Sequence, residues 1–490
     1  MDYSQFLAMK QEIALLAIFL IVFLYDTFMP KKVLNGLSGI TTILFAVFTL
    51  AGFGLMCGHT ESAFAGMYVT SPVIATIKNI LNVGVLIVLI QSASWNNSET
   101  QSIRRGEFYE LLLVTLFGMY LMISARHFLL FVIGLECASL PLAAMVAFDK
   151  HKYESHEAAV KYMLTAVFSS AIFMMGLSYV YLLTGSLYFD TIATSVACLD
   201  AQPLLIVALA FVIAGVGFKL SLVPFHLWTA DVYQGAPTAV TSYLSVISKG
   251  SAAFAFMVIL AHCFGSVYSA VWEWMLYGLI ILTITVGNLF ALRQNNMKRF
   301  LAFSSISQAG YIMLGIIGNN AMGMASLMFY ILVYIFSNLA AFGVIQAIEN
   351  KTGKLDMSDY RNLYKSNPHL AFVMMLAMFS LAGIPPFAGF FSKFFIFTGA
   401  LSGTTSVALY VLVLIALINT IISLYYYLMV VKSMFLSTEE PIIETFRSSC
   451  ADRVGMWICT AGVIALGLVS YFYNSILTLC QNSGLLNAIV

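Results

Sequence analysis

Polar residues in this chain are confined to short intervals that separate long, almost purely apolar runs. Most of these runs are about 20 residues or longer, which is the length that an α-helix needs to cross a hydrocarbon core roughly 30 Å thick. They are continuous rather than alternating, so they do not fit the strands of a membrane β-barrel. We therefore predict an all-α integral membrane protein of fourteen transmembrane helices, over residues 13–29, 34–57, 72–95, 107–125, 127–148, 155–184, 203–231, 236–261, 270–292, 299–318, 321–348, 369–400, 404–431 and 454–475.

The basic residues of the loops test this helix count, because lysine and arginine collect on the cytoplasmic side of membrane proteins. With the N-terminus outside, the cytoplasmic connections contain nearly all basic loop residues, among them Lys31, Lys32 and Arg104. The opposite connections contain only Lys10 and Arg126. An error in the count would disturb this alternation, so the sequence predicts a multi-pass protein with both termini on the outer side of the membrane.

The composition excludes several classes of function. Charged residues make up 9% of the 490 residues, against roughly 25% in a soluble domain, which excludes a soluble enzyme and a disordered chain. The net charge of +1 provides no binding surface for nucleic acid. The seven cysteines form no CxxC pair and no Cys/His cluster, so we expect no metal, iron–sulfur or haem site in this chain.

Five ionisable residues fall inside the predicted helices, namely Glu136, Lys161, Lys219, Lys249 and Lys393. A charged residue at the centre of a spanning helix costs roughly 2.5–3.5 kcal/mol on insertion scales, and such residues commonly mark ion or proton pathways. Burial disfavours the charged form of a lysine, whereas a nearby carboxylate favours it. Movement of Glu136 relative to a lysine would therefore switch that lysine between holding and releasing a proton. The alternative for Glu136, with Lys161 or Lys219, is a static ion pair that joins two helices.

Prolines interrupt two of the predicted helices close to these lysines. Pro224 follows Lys219 by five residues, and Pro385 and Pro386 precede Lys393. Proline removes a backbone hydrogen bond, and within a bilayer such a break persists only where protein or water satisfies the freed groups. Broken helices at corresponding positions indicate a transport pathway. Predicted helices 4–8 and 9–13 form two sets of five, with a broken helix, 7 or 12, in the fourth position of each. This arrangement predicts two inverted five-helix repeats.

Polar side chains around the lysines are candidates for a proton relay. His226 lies seven residues after Lys219, and an imidazole with an unperturbed pKa near 6.5 suits proton transfer. A neutral histidine bonded to a backbone carbonyl is the alternative. Other polar residues near the lysines form either a water path or ordinary contacts between helices, namely Ser245, Ser248, Ser304, Ser305, Ser307, Gln308, Tyr311, Ser337 and Asn338. Lys78, early in its helix, is expected to extend towards water at the outer surface.

The segments that contain these residues resemble one family. GLECASLPL, EAAVKYML, FKLSLVPFHLWTADVYQGAPT, SVISKG and GIPPFAGFFSKF are similar to the antiporter-like subunit N (subunit 2) of respiratory complex I, the proton-pumping NADH:quinone oxidoreductase. The resemblance covers essentially the whole chain and implies the same fourteen-helix fold. It implies that Glu136 and Lys219 form a charge pair with Lys161 close by, that Lys249 is the central relay and that Lys393 is the terminal proton carrier.

The resemblance also implies a setting for the chain. We expect a subunit of the bacterial inner membrane that moves protons outward while quinone is reduced elsewhere, in contact with lipid and with other membrane subunits, including neighbouring antiporter-like subunits. No cofactor is expected in this chain, and FMN, iron–sulfur clusters and quinone are expected in other subunits. A subunit of a multisubunit cation/proton antiporter is the alternative, although the VYQGAP segment and Lys393 favour complex I. Ala230 departs from the family pattern, which has proline there.

Four segments follow from these predictions. Residues 1–106 form an N-terminal three-helix segment, residues 107–262 the first repeat and residues 263–431 the second, inverted repeat. Residues 432–490 form a cytoplasmic loop and the last helix.

Overall fold

The computed structural model describes residues 3–29, 36–54, 60–97, 104–199, 203–267, 271–402, 406–436, 439–469 and 471–483, and these are helical almost throughout. Its α-helices, numbered in chain order, are α1 (Lys10–Phe28), α2 (Leu37–Gly54), α3 (Pro72–Asn96), α4 (Arg105–Ser124), α5 (Phe128–Val146), α6 (Tyr153–Thr184), α7 (Phe189–Ala197), α8 (Pro203–Leu220), α9 (Leu227–Gly235), α10 (Thr238–Tyr243), α11 (Lys249–Phe264), α12 (Glu273–Ala291), α13 (Met297–Ile317), α14 (Ala321–Thr352), α15 (Leu363–Ser366), α16 (Pro368–Ala382), α17 (Ala388–Leu401), α18 (Val407–Leu436), α19 (Cys450–Leu468) and α20 (Tyr471–Asn482).

Other regular elements are short. Strand β1 (Glu61–Ala63) pairs antiparallel with β2 (Tyr68–Thr70), with Ser62 opposite Val69. A π-helical turn, Leu244–Ser248, joins α10 to α11. The 3-10 helices of the described residues are Tyr3–Met9, Gly265–Val267 and Met357–Tyr360.

The predicted class, an all-α integral membrane protein, is confirmed. In the part of the chain that the structure describes, twelve helices are long and apolar enough to cross a membrane. Three shorter apolar helices, α2, α16 and α17, add to them. The last predicted helix, over residues 454–475, is not continuous in the structure. Helix α19 ends at Leu468, and a separate helix, α20, begins at Tyr471. The buried residues of α20 recur as Tyr473, Ile476 and Cys480, so one face of this helix covers the protein.

Both predicted helix breaks are present. The first lies between Leu220 and Leu227, and the indole Nε1 of Trp228 donates a hydrogen bond to Phe218 O across it, over 3.1 Å. The second lies between Ala382 and Ala388, where Gly383 adopts φ +87° and ends α16 in a left-handed conformation that favours glycine. Each break therefore has groups from the protein that satisfy part of the interrupted backbone.

Helices α11, α13 and α14 lie at the centre of the molecule, because almost every residue along them is buried. By contrast, α1, α6 and α18 carry broad exposed apolar faces, with Leu20, Phe168 and Ile421 among the exposed residues. Such faces suit contact with lipid. The polar residues of α11, α13 and α14 are thus shielded from lipid by the surrounding helices.

Two lysines differ from their predicted surroundings. Lys78 does not extend to the surface but is fully buried and forms an ion pair with Glu12 of α1, because the hairpin β1–β2 and α4 cover it. Lys298 is not a loop residue, since Asn296 caps α13 and places Lys298 in its first turn, where it is 2% exposed. Lys31 and Lys32, used to predict the orientation, lie outside the described residues.

Candidate functional site

Lys219 occupies the last turn of α8, directly before the first break, and is buried. Its Nζ atom donates a hydrogen bond to Ser139 Oγ of α5 over 2.6 Å. The Ser139 hydroxyl in turn donates to Leu135 O within α5, over 2.6 Å. The oxygen that contacts this buried ammonium group is therefore neutral.

Glu136 lies one helical turn before Ser139 on α5, so both side chains project from the same region of the helix. It is only partly buried. Among the described residues, no lysine, arginine or histidine nitrogen lies within 4.0 Å of its carboxylate. The structure brings Lys219 to the turn of α5 that follows Glu136, with Ser139 as its direct partner.

Lys161 is not buried, contrary to the prediction, since 42% of its side chain is exposed. Its Nζ atom lies 2.7 Å from Glu157 Oε1, one turn earlier on α6, and 2.7 Å from Asp231 Oδ2 on α9. Asp231 also binds Arg299 Nη1 over 2.6 Å. The sequence pattern missed this cluster because Asp231 pairs with residues far away in the chain. Lys161 thus attaches the short helix α9 to α6 and does not pair with Glu136.

His226 lies at the end of the first break, as the residue before α9, and is 8% exposed. The two-turn spacing from Lys219 does not fix a common face, because residues 221–226 are not part of either helix. Its Nδ1 atom has no hydrogen-bond partner in the residues that the structure describes, and neither Lys219 nor Lys249 is bonded to its ring there.

Lys249 follows the π-helical turn and lies at the centre of the molecule, 1% exposed. Its Nζ atom donates to Ser305 Oγ over 2.5 Å and lies 3.3 Å from Ser305 O. It also lies 5.5 Å from the centre of the Tyr233 ring, within the range of a cation–π contact. As for Lys219, the polar partners of this lysine are neutral.

Lys393 on α17 reaches back across the second break. Its Nζ atom donates to Leu381 O over 3.0 Å and to Ala382 O over 3.1 Å. These carbonyls end α16, where the last turn of a helix leaves acceptors free and carries a partial negative charge. The Tyr311 ring centre lies 5.2 Å from the same ammonium group.

A chain of hydrogen bonds extends from the Lys249 region towards Lys393. Ser304, adjacent to the Lys249 partner Ser305, shares a hydrogen bond of 2.5 Å with Tyr427 OH. Gln308 Nε2 donates to the same Tyr427 oxygen over 3.2 Å, and Tyr330 OH donates to Gln308 Oε1. Hydroxyl and amide groups in such a chain can pass or orient protons and hold water between them.

A small cavity continues this chain as far as Lys393. Its volume is about 10 Å³, at the lower limit for one water, and its polar lining residues are Gln308, Tyr330, Tyr334, Ser337, Ser380, Ser392 and Lys393. Tyr334, which lines the cavity, and Asn338, one helical turn later on α14, each have a buried oxygen, Tyr334 OH and Asn338 Oδ1, without a hydrogen-bond partner in the described residues. Buried oxygens of this kind commonly bind water. Within the same ranges, no group of three His, Cys, Asp or Glu side chains could hold a metal ion.

A second buried ionic cluster was not predicted from the sequence. Lys298 Nζ donates to Ala236 O over 2.7 Å and lies 3.8 Å from Glu349 Oε1. Thr238 donates a hydrogen bond to Glu349, and Lys152 Nζ lies 3.3 Å from its Oε1 atom. The capping signal at Asn296 would have placed Lys298 on a helix, but nothing in the sequence indicates the pairing with Glu349.

Comparison with known proteins adds to this geometry. Residues 125–423 match the family model described as NADH:quinone oxidoreductase/Mrp antiporter, TM. NADH-quinone oxidoreductase subunit N of Phocaeicola vulgatus is 51% identical over 475 residues, which cover 97% of this chain and 98% of that protein. The same subunit of Azobacteroides pseudotrichonymphae is 50% identical over 481 residues, 98% of each chain.

Solved structures show the same fold. A chain of respiratory complex I from Thermus thermophilus with bound aureothin superposes with a TM-score of 0.78 at 31% identity, over 94% of this chain and 97% of that chain. A chain of the Mrp complex from Dietzia sp. superposes with a TM-score of 0.81 at 20% identity, over 100% of each chain, which shows the fold alone. From the family model and these relatives, the chain belongs to the NADH-quinone oxidoreductase subunit N family of antiporter-like membrane proteins.

Proposed function

We propose that this chain translocates protons outward across the bacterial plasma membrane, as a non-redox subunit of NADH:quinone oxidoreductase. The observation that carries this function is that Lys219, Lys249 and Lys393 are each at most 5% exposed and each donate to neutral oxygens. A buried ammonium group without a carboxylate partner is costly and is poised to lose its proton. Three such groups on broken or distorted helices suit transfer rather than static support.

Glu136 sets the state of the first lysine in this proposal. While the carboxylate is close to Lys219, the lysine retains its proton. When a change elsewhere in the complex separates them, the ammonium group is left with Ser139, and its proton becomes easier to release. Against a potential of 100 mV, the outward movement of one charge costs about 2.3 kcal/mol, which corresponds to less than two pKa units at about 1.4 kcal/mol each.

The proton then reaches Lys249 through His226 and water, and Lys393 through the hydrogen-bonded groups around Tyr427. His226 supports this step by its position in the break. Lys393 is the last carrier. Lys161 has a supporting role, since its ion pairs hold α9 beside the break.

Fourteen transmembrane helices form the architecture of this proposal. They comprise the twelve long helices, α2, and one composite helix made of α16 and α17. Helices 4–8 (residues 107–262) and 9–13 (263–431) form two inverted repeats, after an N-terminal segment (1–106) and before a cytoplasmic loop and last helix (432–490). The two breaks support the repeats because each lies in the fourth helix of its set. Both termini are on the outer side.

The chain works within a larger assembly. The matched Thermus thermophilus chain is part of respiratory complex I, and we propose that this chain contacts the other membrane subunits, including neighbouring antiporter-like subunits, as well as lipid. FMN, iron–sulfur clusters and quinone belong to other subunits in this proposal. A role in a cation/proton antiporter is compatible with the family model, which covers both classes, and with the fold shared with the Mrp complex. The relatives that are about half identical in sequence favour complex I.

Proton pumping in a Lys219→Ala variant tests the function. The complex is purified, its subunits are counted by mass spectrometry, and NADH oxidation and proton uptake are measured together in sealed vesicles. We expect the complex to assemble and its ratio of protons to electrons to fall. Lys150→Ala, an exposed loop residue, is the matched control and should pump normally. A normal ratio in the fully assembled Lys219→Ala complex would disprove the proposed function of this lysine path.

A further inference from the structure

A second pair of buried charges lies outside the lysine path, between α1 and α3. Lys78 Nζ lies 2.5 Å from Glu12 Oε1, and the two side chains are 0% and 1% exposed. Lys78 also donates a hydrogen bond to Tyr68 OH over 3.3 Å. A buried ion pair is weak evidence for stability, because desolvation offsets the attraction. Stability alone therefore does not account for this pair.

A cavity lies beside Glu12. Its presence distinguishes this ion pair from one that only joins two helices. Its volume is about 90 Å³, well above the roughly 10–15 Å³ that one water requires. Exposed Lys10, together with Gln11, Thr70 and Glu12, provides its polar lining. Glu12 Oε2 is buried and has no hydrogen-bond partner in the residues that the structure describes. A carboxylate oxygen that lacks a hydrogen-bond donor and lies beside such a cavity can accept a hydrogen bond from water there.

The cavity lies near the surface of the membrane on which the N-terminus is located. Tyr68 and Thr70, which line it, belong to strand β2. The hairpin is attached to the N-terminal 3-10 helix, since Phe64 N donates to Gln5 Oε1 over 2.8 Å. Water that enters past Lys10 therefore comes from the aqueous phase on that side.

The inner side of the pair faces α4. Lys78 Nζ lies 5.3 Å from the centre of the Tyr120 ring, and Tyr120 OH donates a hydrogen bond to Asn82 Oδ1. Asn82 Nδ2 is buried without a partner in the described part of the chain. In the described part of the chain, the titratable and charged groups near Glu12 and its partner include Lys10, Lys78, Tyr68 and Tyr120.

A neighbouring face of α4 contacts the segment that carries Lys249. Tyr243 OH shares a hydrogen bond of 2.8 Å with Thr115 and lies 3.8 Å from Met119 Sδ, the residue before Tyr120. Tyr243 directly precedes the π-helical turn that leads to Lys249. Helix α4 thus places Thr115 beside the segment that precedes Lys249 and Tyr120 beside the pair on α1 and α3.

We propose that Glu12 and Lys78 form a proton-exchanging pair that releases protons through this cavity, as a second outlet beside Lys393. This inference rests on the proposed function of the chain. In one cycle, the Lys78 ammonium group gives a proton to the Glu12 carboxylate, and the Glu12 carboxyl group gives it to water in the cavity. The neutral Lys78 amine then accepts a proton from the side of Tyr120 and Asn82, which restores the pair.

Chemical labelling tests the site without reference to pumping. Dicyclohexylcarbodiimide modifies protonated carboxyl groups in apolar surroundings, and the labelled peptide is measured by mass spectrometry in the intact complex. We expect labelling at Glu12, and stronger labelling in Lys78→Met, because the ammonium group that favours the charged carboxylate is removed. Absence of labelling in both proteins at every pH would show a sealed, static pair and overturn the proposal.

Pumping measurements test the outlet. Glu12→Gln, Tyr120→Phe and the control Glu61→Gln, an exposed carboxylate of the same hairpin, are compared alone and with Lys393→Ala. We expect the first two to lower the proton-to-electron ratio and to remove the pumping that remains in Lys393→Ala, with NADH oxidation retained. If Glu12→Gln and Tyr120→Phe each leave the proton-to-electron ratio of their parent protein unchanged in both backgrounds, the outlet is overturned. Lys219→Ala is measured in parallel, since normal pumping there would instead refute the proposed function.

Discussion

The ammonium group of Lys393 is held by the carbonyl oxygen of Leu381, at the end of the helix that precedes its own. Ala382 O provides a second acceptor. The break between α16 and α17 thus supplies free carbonyls and a partial negative charge beside a buried cation, without a carboxylate. A lysine held in this way is stabilised when charged but is not paired so strongly that it cannot release its proton.

Lys393→Arg separates hydrogen bonding from proton transfer. Arginine can still donate to the carbonyls of Leu381 and Ala382, but it does not lose its proton in proteins. We expect an assembled complex with a reduced proton-to-electron ratio, measured in sealed vesicles. Lys393→Met, which has no proton to transfer, should show the same loss in the proton-to-electron ratio. Normal pumping by the arginine variant would contradict a carrier role.

Ser139→Ala removes the neutral acceptor of Lys219. Without this hydroxyl, Lys219 is expected to turn towards Glu136, one turn earlier on α5. Because the carboxylate is then closer, Lys219 should hold its proton more firmly. The rate of proton pumping should therefore fall. The matched control is Ser169→Ala, which removes a hydrogen bond of 2.7 Å between α6 and Gly215 of α8 without touching a lysine. Equal pumping rates in the two variants would argue against the role of Ser139.

Tyr427→Phe interrupts the hydrogen bonds between Ser304 and Gln308 while retaining the aromatic ring. We expect slower proton pumping at unchanged assembly, since transfer from Lys249 to Lys393 loses a hydroxyl group. Tyr425→Phe, whose side chain is 60% exposed on the same helix, is the control and should have no effect. Pumping that falls equally in both variants would indicate a general disturbance of α18.

Lys298→Met leaves the carboxylate of Glu349 buried with fewer partners. Glu349 keeps Lys152 and Thr238 as partners, so the loss should be smaller than the cost of about 3–5 kcal/mol that follows removal of a sole partner, but the thermal midpoint of the complex should still fall. The double variant Lys298→Met/Glu349→Gln should recover part of the loss, because the unpaired charge is removed as well. A double variant as unstable as the sum of the two single variants would show that the groups act independently.

The sequence was most informative where a feature is local. Pro224 and the Pro385–Pro386 pair predicted both helix breaks, because proline acts on its own turn of the backbone. Lys219, Lys249 and Lys393 were predicted to be buried and are, since their neighbours along the helix are apolar over many turns. The class of the protein followed from the same long runs.

Predictions that required contacts between distant segments were less successful. Lys161 was predicted to be buried, but Asp231, seventy residues away in the chain, holds it at a partly exposed position. Lys78 was predicted to reach the surface, but Glu12 of α1 holds it inside. The periodicity of a helix shows which of its residues share a face, but the partner of that face depends on the packing of all helices.

The π-helical turn before Lys249 has a consequence for how this lysine could change partners. A π turn holds one more residue than an α turn, so its conversion to α-helical geometry displaces the following residues by one position in the helix. One position corresponds to about 100° of rotation around the helix axis. Such a change of register would swing Lys249 away from Ser305 without any change in its side-chain rotamer. The segment Leu244–Ser248 is therefore where such a rotation of the central lysine would begin.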